Sequence, residues 1–466
     1  MINYPTLDVF FYELRNSLGD NETKIQQRAE SFMSHCGLDA NDTELKQIFQ
    51  QQNNAEYKDI TLFGDKYIKK FSQHHYKGYY YPQRLNDTYA LLVDCSIEEA
   101  ETDFTTDDLS WLQGLKDLVQ AKLGNYEPQK IIGATWMLSL VVSSDHYDEI
   151  ASNCCKILLP KIDCQQVGKG QFLNGTLFEY WYYDLSTQKR HHLLIGIYAD
   201  NNAIETLAED YYPEFINLFH YRHKILWAYR QSQQLKQELI NTILPEVRRC
   251  RQEVKNVSKA EFDIAEIEST LAAAREQQFD YAEKIRLLID QKNTIDINQH
   301  NYQERLQKVQ QKSQQQLPSF AEIAKLAENR YSFQVQKDYD NLSPELDLLD
   351  KLVMHIHVNI ALRKEERDRK FIQRIETFGL IFAMAAIFVA ASGDFPINSP
   401  DDAINNPIGK FLFEYLHIPK NWLDASISIT IGVGVAAFTG LILLFLHNLK
   451  IITKEVTAIL KKYLGK

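Results

Sequence analysis

No uncharged apolar stretch long enough to cross a bilayer occurs before Glu376 in this chain; a spanning helix needs about 20 such residues, and roughly 17 at the least. The opening stretch, Met1–Glu22, scatters Asp8, Glu13, Arg15 and Asp20 among its apolar residues. That pattern excludes an N-terminal signal segment and predicts a cytosolic body. A basic excess is missing too. The net charge is −11, and from Ser343 onward acids and bases nearly balance, so the acidic surplus lies upstream. Such a body is not built to hold a nucleic-acid polymer. Its surface either concentrates cations or is simply solvated.

Motifs that carry chemistry are absent as well. There is no P-loop, no G-x-G-x-x-G, no H-E-x-x-H and no G-x-S-x-G, and the expectation is that the protein is not an enzyme. The six cysteines (Cys36, Cys95, Cys154, Cys155, Cys164 and Cys250) form no C-x-x-C pair and are expected to be reduced in the cytosol. Adjacent Cys154 and Cys155 cannot both face one metal without a special turn; Cys154, Cys164 and a histidine make a conceivable zinc set. The pairs His74–His75 and His191–His192 read as surface or internally satisfied histidines. No repeat of fixed period is present.

What the chain does have is two apolar stretches near its C-terminal end, Phe378–Ser392 and Ala425–Leu446. No charge interrupts the sequence between Glu376 and Asp394, or between Ala425 and Leu446. Arg363, Lys364, Arg367, Arg369, Lys370 and Arg374 precede the first, and Lys450, Lys454, Lys461, Lys462 and Lys466 follow the second. The intervening segment carries Lys410 and Lys420 against Asp394, Asp401, Asp402, Glu414 and Asp424. Basic flanks stay on the cytoplasmic side. The expectation is a multi-pass protein of the plasma (inner) membrane with both termini cytoplasmic.

Upstream, residues 1–215 read as an α/β domain. Thr88–Cys95, Ile131–Val142 and Leu193–Tyr198 have the length and composition of buried strands. Leu177–Leu185 and His192–Tyr198 flank a hairpin turn at Ser186–Lys189. Asp107–Leu123 places Leu109, Leu112, Leu115, Leu118 and Val119 at helical spacing. Strands alternating with helices imply a helix-covered sheet. Two tyrosine clusters, Tyr76, Tyr79, Tyr80 and Tyr81 and then Tyr180, Tyr182 and Tyr183, either line a pocket for a planar ligand or are strand residues at a sheet edge or subunit contact.

Residues 216–342 read as a helical, coiled-coil region. Ile225, Leu235, Leu239, Ile243 and Val247 recur at helical intervals, with a kink expected at Pro245. Ser258–Glu261 fits a capping box for a helix with the stripe Ile264, Ile267, Leu271, Phe279, Ala282 and Ile285. Gln291–Gln316 is either a solvated helix or a connector. A new helix is expected at Ser343-Pro344-Glu345, with a coiled-coil seam of Leu346, Leu349, Val353, Ile356 and Ile360. This stalk, 343–377, leads into a first span at 378–392. An extracytoplasmic loop at 393–424, a second span at 425–446 and a basic tail at 447–466 complete the chain. Small residues line the spans: Gly379 and Ala383, then Ala386 and Ala390 in the first, Gly432, Ala436 and Gly440 in the second. They permit close helix approach and favour an oligomer.

The stalk Pro344–Arg374, the two spans and the tail Lys450–Lys466, set behind a cytosolic α/β domain, resemble the CorA-like cation transporter superfamily. The resemblance covers most of the chain and rests on the order of its parts. It implies a homo-oligomer, a pentamer in that family, whose first spans line a pore gated by stalks and cytosolic domains, with a possible divalent cation to carry. The family's Gly-Met-Asn tripeptide after the first span is replaced here by Ala391-Ser392-Gly393-Asp394-Phe395-Pro396. Magnesium transport is therefore not carried over.

The residues themselves supply pore candidates. Asp394 would form an acidic ring at the outer mouth, and Thr377, Met384 and Ser392 are the polar or polarizable positions of the span. Arg363, Arg367 and Arg374 stand at the cytoplasmic entrance, as a gate or as lipid headgroup contacts. Two functional expectations follow: an oligomeric cation channel or transporter gated by its cytosolic domain, or a membrane effector that a small-molecule or nucleotide ligand switches on.

Overall fold

The computed structural model describes residues 2–442 apart from 18, 40, 57–58, 98–108, 125–130, 144–145, 160–164, 185–188, 258–263, 393–403 and 436. It divides into two compact units, one of Met1–Glu253 with Ala273–Lys351 and one of Val254–Ala272 with Leu352–Lys466.

The first unit is built on a nine-stranded sheet. Its strands are β1 (Ile2–Leu14), β2 (Asp59–Thr61), β3 (Lys69–Gln73), β4 (Tyr76–Leu85), β5 (Thr88–Ile97), β6 (Ile131–Val142), β7 (Gln165–Phe172), β8 (Gly175–Asp184) and β9 (Lys189–Tyr198). They lie in the order β2-β4-β5-β1-β6-β9-β8-β7, with β3 also paired to β4. Neighbours are antiparallel except β6 and β9. The strands flanking the hairpin expected at Ser186–Lys189 pair antiparallel, with Asp184 opposite Lys189; residues 185–188 lie outside the described residues. Two-residue turns close the β3–β4, β4–β5 and β7–β8 hairpins, with left-handed backbone at His74, Asn86, Leu173 and Asn174. That backbone twist matches the twist of the strands it joins.

Successive side chains point to opposite faces of a strand, and here the two faces differ. One presents Leu7, Val9 and Phe11 of β1, Leu91 and Val93 of β5, Leu138 and Leu140 of β6 and Ile195 of β9. Against it pack α1 (Glu22–His35), α2 (Thr43–Asn53), α3 (Ser110–Leu123) and α4 (Tyr147–Leu158), through Phe32, Phe49, Leu112, Leu115, Val119, Ile150 and Ala151. The apolar helix spacing read from Leu109 to Val119 is the buried face of α3. Cys154 and Cys155 lie in this core as free thiols.

The opposite face is covered by α6 (Tyr212–Glu238), which follows the short α5 (Asn201–Thr206) and a π-helical turn at Leu207–Tyr211. Buried residues occur all round α6, because a second helical layer lies over it. That layer comprises part of α8 (Ile264–Ser313), α9 (Pro318–Leu326) and the start of α10 (Phe333–Ser392). Phe219 joins the layers, meeting Phe10 of β1 edge-on at 5.1 Å and Phe320 of α9 at 6.2 Å. Tyr229 stacks on Tyr331 at 4.3 Å. Arg305 pairs with Glu214 at 2.6 Å, and Lys236 with Asp338 at 2.7 Å. The boundary expected at 215 thus falls within α6, inside this unit.

Several helical expectations change. Ser343-Pro344 does not begin a helix: α10 starts at Phe333 and holds Pro344 in its interior. The Gln-rich stretch Gln291–Gln316 is helical up to Ser313, with Ile295, Tyr302, Leu306 and Val309 turned inward between glutamines. Of the stripe expected along α8, Ile267, Leu271 and Ile285 are buried, but Phe279 is exposed and Tyr281 takes the inner position. Tyr281 Oη donates to Leu342 O at 2.8 Å, a bond phenylalanine could not make. Pro245 lies just inside α7 (Leu244–Val257), behind a π-helical turn at Leu239–Ile243; such a turn frees the carbonyl that a proline ring would strike. The capping box at Ser258–Glu261 lies outside the described residues.

In the second unit, Ile267, Leu271, Ile356 and Ile360 are buried, and Lys364 of α10 pairs with Glu268 of α8 at 2.8 Å. Of the expected seam, Leu349, Ile356 and Ile360 are buried and Leu346 and Val353 half-buried. A short helix, Pro407–Glu414, precedes a helix over Lys420–Ile442, which is long and apolar enough to cross a membrane.

Because Phe219 bonds the sheet to the outer helical layer, Phe219→Ala opens a cavity between them. Large core truncations of this kind cost about 3–5 kcal/mol. The thermal midpoint of the variant, followed by near-ultraviolet circular dichroism, falls well below that of the parent.

Candidate functional site

The face of the sheet under α6 carries a layer of buried polar side chains. Asp8 (β1), Thr135 (β6), Glu179 (β8), His192 and Tyr198 (β9) share it, Asp94 (β5) beside Asp8 is half-buried, and α6 contributes Tyr212, Arg222 and His223. The strand registers bring them into line: Asp8 lies opposite Asp94, and Thr135 opposite His192.

One half of the layer is a relay of hydrogen bonds. Glu179 Oε1 is 3.0 Å from His192 Nε2, His192 Nδ1 is 2.9 Å from Thr135 Oγ1, and Thr135 Oγ1 is 2.8 Å from His223 Nε2. Trp181 Nε1 also donates to Glu179 Oε1, at 2.5 Å, and the Arg222 guanidinium lies 5.1 Å from the Trp181 ring centre. A single proton assignment satisfies this chain. His223 Nε2–H donates to Thr135, the threonine hydroxyl donates to His192 Nδ1, and His192 Nε2–H donates to Glu179. Both imidazoles are neutral in that arrangement. Burial, and then the charge of Arg222, push His192 down to about 4, and the same causes push His223 down. Burial raises the Glu179 carboxyl, but the His192 hydrogen bond, Arg222 and Trp181 outweigh it and hold the group below its ordinary value. Gly133 makes room for this contact, since a Cβ there would stand 2.3 Å from His223 Nδ1.

The other half is a carboxyl pair. Asp8 accepts a short hydrogen bond from Tyr212 Oη and interacts with Asp94. Burial, and then the charge of Asp94, drive Asp8 well up; burial drives Asp94 up to about 6. Carboxyls at facing strand positions disfavour each other's ionised form. Tyr79 of β4, raised by burial and by Asp94, borders the pair.

A Glu–His–Thr series is the order of a nucleophilic relay, but Glu179, His192 and Thr135 are at most 3% exposed. Buried in this way, the layer positions α6 on the sheet. A hollow between α1 and α2, lined by Gln26, Glu30, Met33, Phe49 and Asn53, has room for about one water molecule, far below the size of a ligand pocket.

The residues singled out in the sequence lie elsewhere. Thr377 Oγ1 donates to Gln373 O of its own helix at 2.7 Å, and Met384 is half-buried. Asp394, Ala436 and the side chain of Ser392 lie outside the described residues. Arg363 is half-buried, and Arg367 and Arg374 are exposed. Arg367 is 3.9 Å from Asp368, and neighbouring Arg369 pairs with Glu365 at 2.8 Å. Gly379 and the adjoining Ala383 face open space, Gly432 is buried, and a Cβ at Gly440 would meet Ile381 Cδ1 at 4.0 Å. Gly440 is therefore where the two apolar helices approach.

The tyrosine clusters are strand residues one place in from the sheet edges, Tyr80 and Tyr180 being buried in the core. His74 and His75 are exposed in a hairpin turn, and His192 is satisfied by Glu179 and Thr135. Cys164 lies outside the described residues, and burial drives the Cys154 thiol up to about 12. Among the described residues no three His, Cys, Asp or Glu side chains are grouped to hold a metal ion. The chain matches no known family model, no curated protein and no solved structure.

The polar layer went unread in the sequence because its members come from six elements. The available signal was α6 itself. His220-Tyr221-Arg222-His223-Lys224 interrupts a helix with Phe215, Phe219 and Ile225, leaving no face free of polar groups.

Two outcomes test the layer. Thr135→Val strands His192 Nδ1 and His223 Nε2 without partners, at about 1–3 kcal/mol, and lowers the thermal midpoint, whereas Thr135→Ser largely retains it. The two halves also respond oppositely to pH. The histidines, with folded values below the ordinary 6.5, contribute stability above that pH that is lost as it falls toward 4. The raised Asp94 favours the fold below its ordinary value of 3.8, and that contribution is lost as pH rises through about 6. Asp94→Asn removes the second effect, so the midpoint rises more at pH 8 than at pH 5, measured by thermal denaturation at both.

Proposed function

We propose that the protein is an oligomeric, multi-pass membrane channel of CorA-like architecture, conducting cations and gated by its α/β unit. The observation that carries this reading is the reversal of burial between the units. In the first, most large apolar side chains lie inside; in the second, those of the end of α10 and of the Lys420–Ile442 helix lie mostly outside. Phe382 is 73% exposed, Ile387 66% and Phe438 65%. Exposed apolar surface of that extent is covered in a stable protein by lipid or by other subunits. The helix Lys420–Ile442 has a mean hydropathy of 1.9 across its most apolar window, and the end of α10 supplies the second span.

In this reading the first spans surround an axis. Asp394, just beyond Ser392, concentrates cations at the outer mouth as acidic rings do. The arginines of α10 would repel cations at the inner mouth, but Glu365 and Asp368 lie against Arg369 and Arg367 and offset that charge. Gly440 against Ile381 sets the spacing of the two spans within a subunit. A second reading, an effector switched on by a small molecule or nucleotide, draws on the missing Gly-Met-Asn tripeptide, which leaves the outer mouth without the family's cation-attracting element.

Recording from the purified full-length protein in a planar bilayer tests the proposal. The expected result is a steady cation current that Asp394→Asn reduces. A silent bilayer with the oligomer intact contradicts it and favours the ligand-switched effector.

A further inference from the structure

The segment before the Lys420–Ile442 helix is folded, not merely connecting. Asn406 caps the Pro407–Glu414 helix, its side chain accepting from Ile408 N at 2.9 Å. The chain then reverses through a left-handed residue, His417, and Ile418 N bonds back to Leu412 O at 3.2 Å. Leu412, Leu423 and Ile427 form a small core between the two helices. One face of the short helix is satisfied by that core. The other is not.

Phe411 and Tyr415 stack with ring centres 5.4 Å apart, yet Tyr415 is 72% exposed and Trp422, on the first turn of the long helix, 63%. Leu416 beside them is exposed as well. Lys420 Nζ stands 6.0 Å over the Phe413 ring, and Lys410 lies 4.0 Å from Glu414. Aromatic rings with polar tips, flanked by lysine, at the end of an apolar helix have the composition of the boundary between headgroups and acyl chains. Lysine at that level buries its stem and keeps its ammonium in water. Continuity with the apolar helix fixes the depth: Trp422 lies within one turn of Lys420, where the span emerges.

We infer that Phe411, Tyr415, Leu416 and Trp422 form an interfacial collar seated in the headgroup–acyl boundary of a lipid bilayer, holding the Lys420–Ile442 helix in register. The inference rests on the membrane reading above and adds a lipid-contact site to it. A helix with one strongly apolar face lies flat in that boundary, so the Pro407–Glu414 helix runs along the membrane surface.

Trp422 makes the test selective. The other four tryptophans of the chain, Trp111, Trp136, Trp181 and Trp227, all belong to the first unit. The full-length protein and its Trp422→Phe variant are reconstituted in phosphatidylcholine vesicles carrying a nitroxide quencher either near the acyl carbonyl or near the acyl terminus. Flotation of the vesicles reports whether the chain is inserted. The expected result is loss of tryptophan emission, greater with the shallow quencher, that disappears in Trp422→Phe. Protein that floats but shows no Trp422 quenching overturns the collar while leaving insertion standing; the rings then face water or a second copy. Deeper quenching places Trp422 inside the bilayer and also overturns it. Protein that does not float removes the membrane reading and the collar together.

Discussion

Helix α6 takes Tyr212, Arg222 and His223 into the interior of the α/β unit, and such groups are tolerated there only if each finds a partner. The sheet supplies the partners. Asp8, Thr135 and Glu179 with His192 are spaced so that the helix settles in one position along the strands. Apolar contact alone would let α6 slide or rotate; hydrogen bonds from Tyr212 to Asp8 and from His223 to Thr135 do not. Once α6 is fixed, its other side gives α9 and α10 a defined surface, with Phe219 against Phe320 and Tyr229 against Tyr331.

The same layer separates two physical roles within one sheet. Its α1–α4 side is mainly apolar and holds by area. Its α6 side is polar and holds by geometry, with neutral histidines and a raised carboxyl pair that depend on exclusion of water. Such a network is sensitive to substitution because a broken member leaves its neighbours unsatisfied rather than merely weaker.

Much of the sheet was legible because β5, β6 and β9 each contain an apolar run and α3 repeats leucine at helical intervals. The central strand β1 was not. Asp8 and Glu13 give Ile2–Leu14 the look of a polar leader, yet Asp8 is answered by Tyr212, 204 residues away, and Glu13 lies 3.6 Å from His35. Partners that distant leave no local pattern. The inner stripe of α8 was hidden for a related reason: Asn298 and Tyr302 serve as interior residues because Tyr302 Oη donates to Phe320 O at 2.9 Å. Pro344 misled in the other direction, as a helix-start signal within a helix. The short helix before Lys420 was read as loop because its apolar face spans barely two turns.

The C-terminal unit follows a different rule from the first. Among the described residues, many of its large apolar side chains face outward, and a compact core around Leu412, Leu423 and Ile427 sits at the start of the apolar helix. That arrangement is stable where lipid replaces water. Alkaline carbonate extraction of membranes from cells expressing the full-length chain tests this most directly. Retention of the protein in the membrane pellet is the predicted result; release into the supernatant as a dispersed soluble species would contradict it.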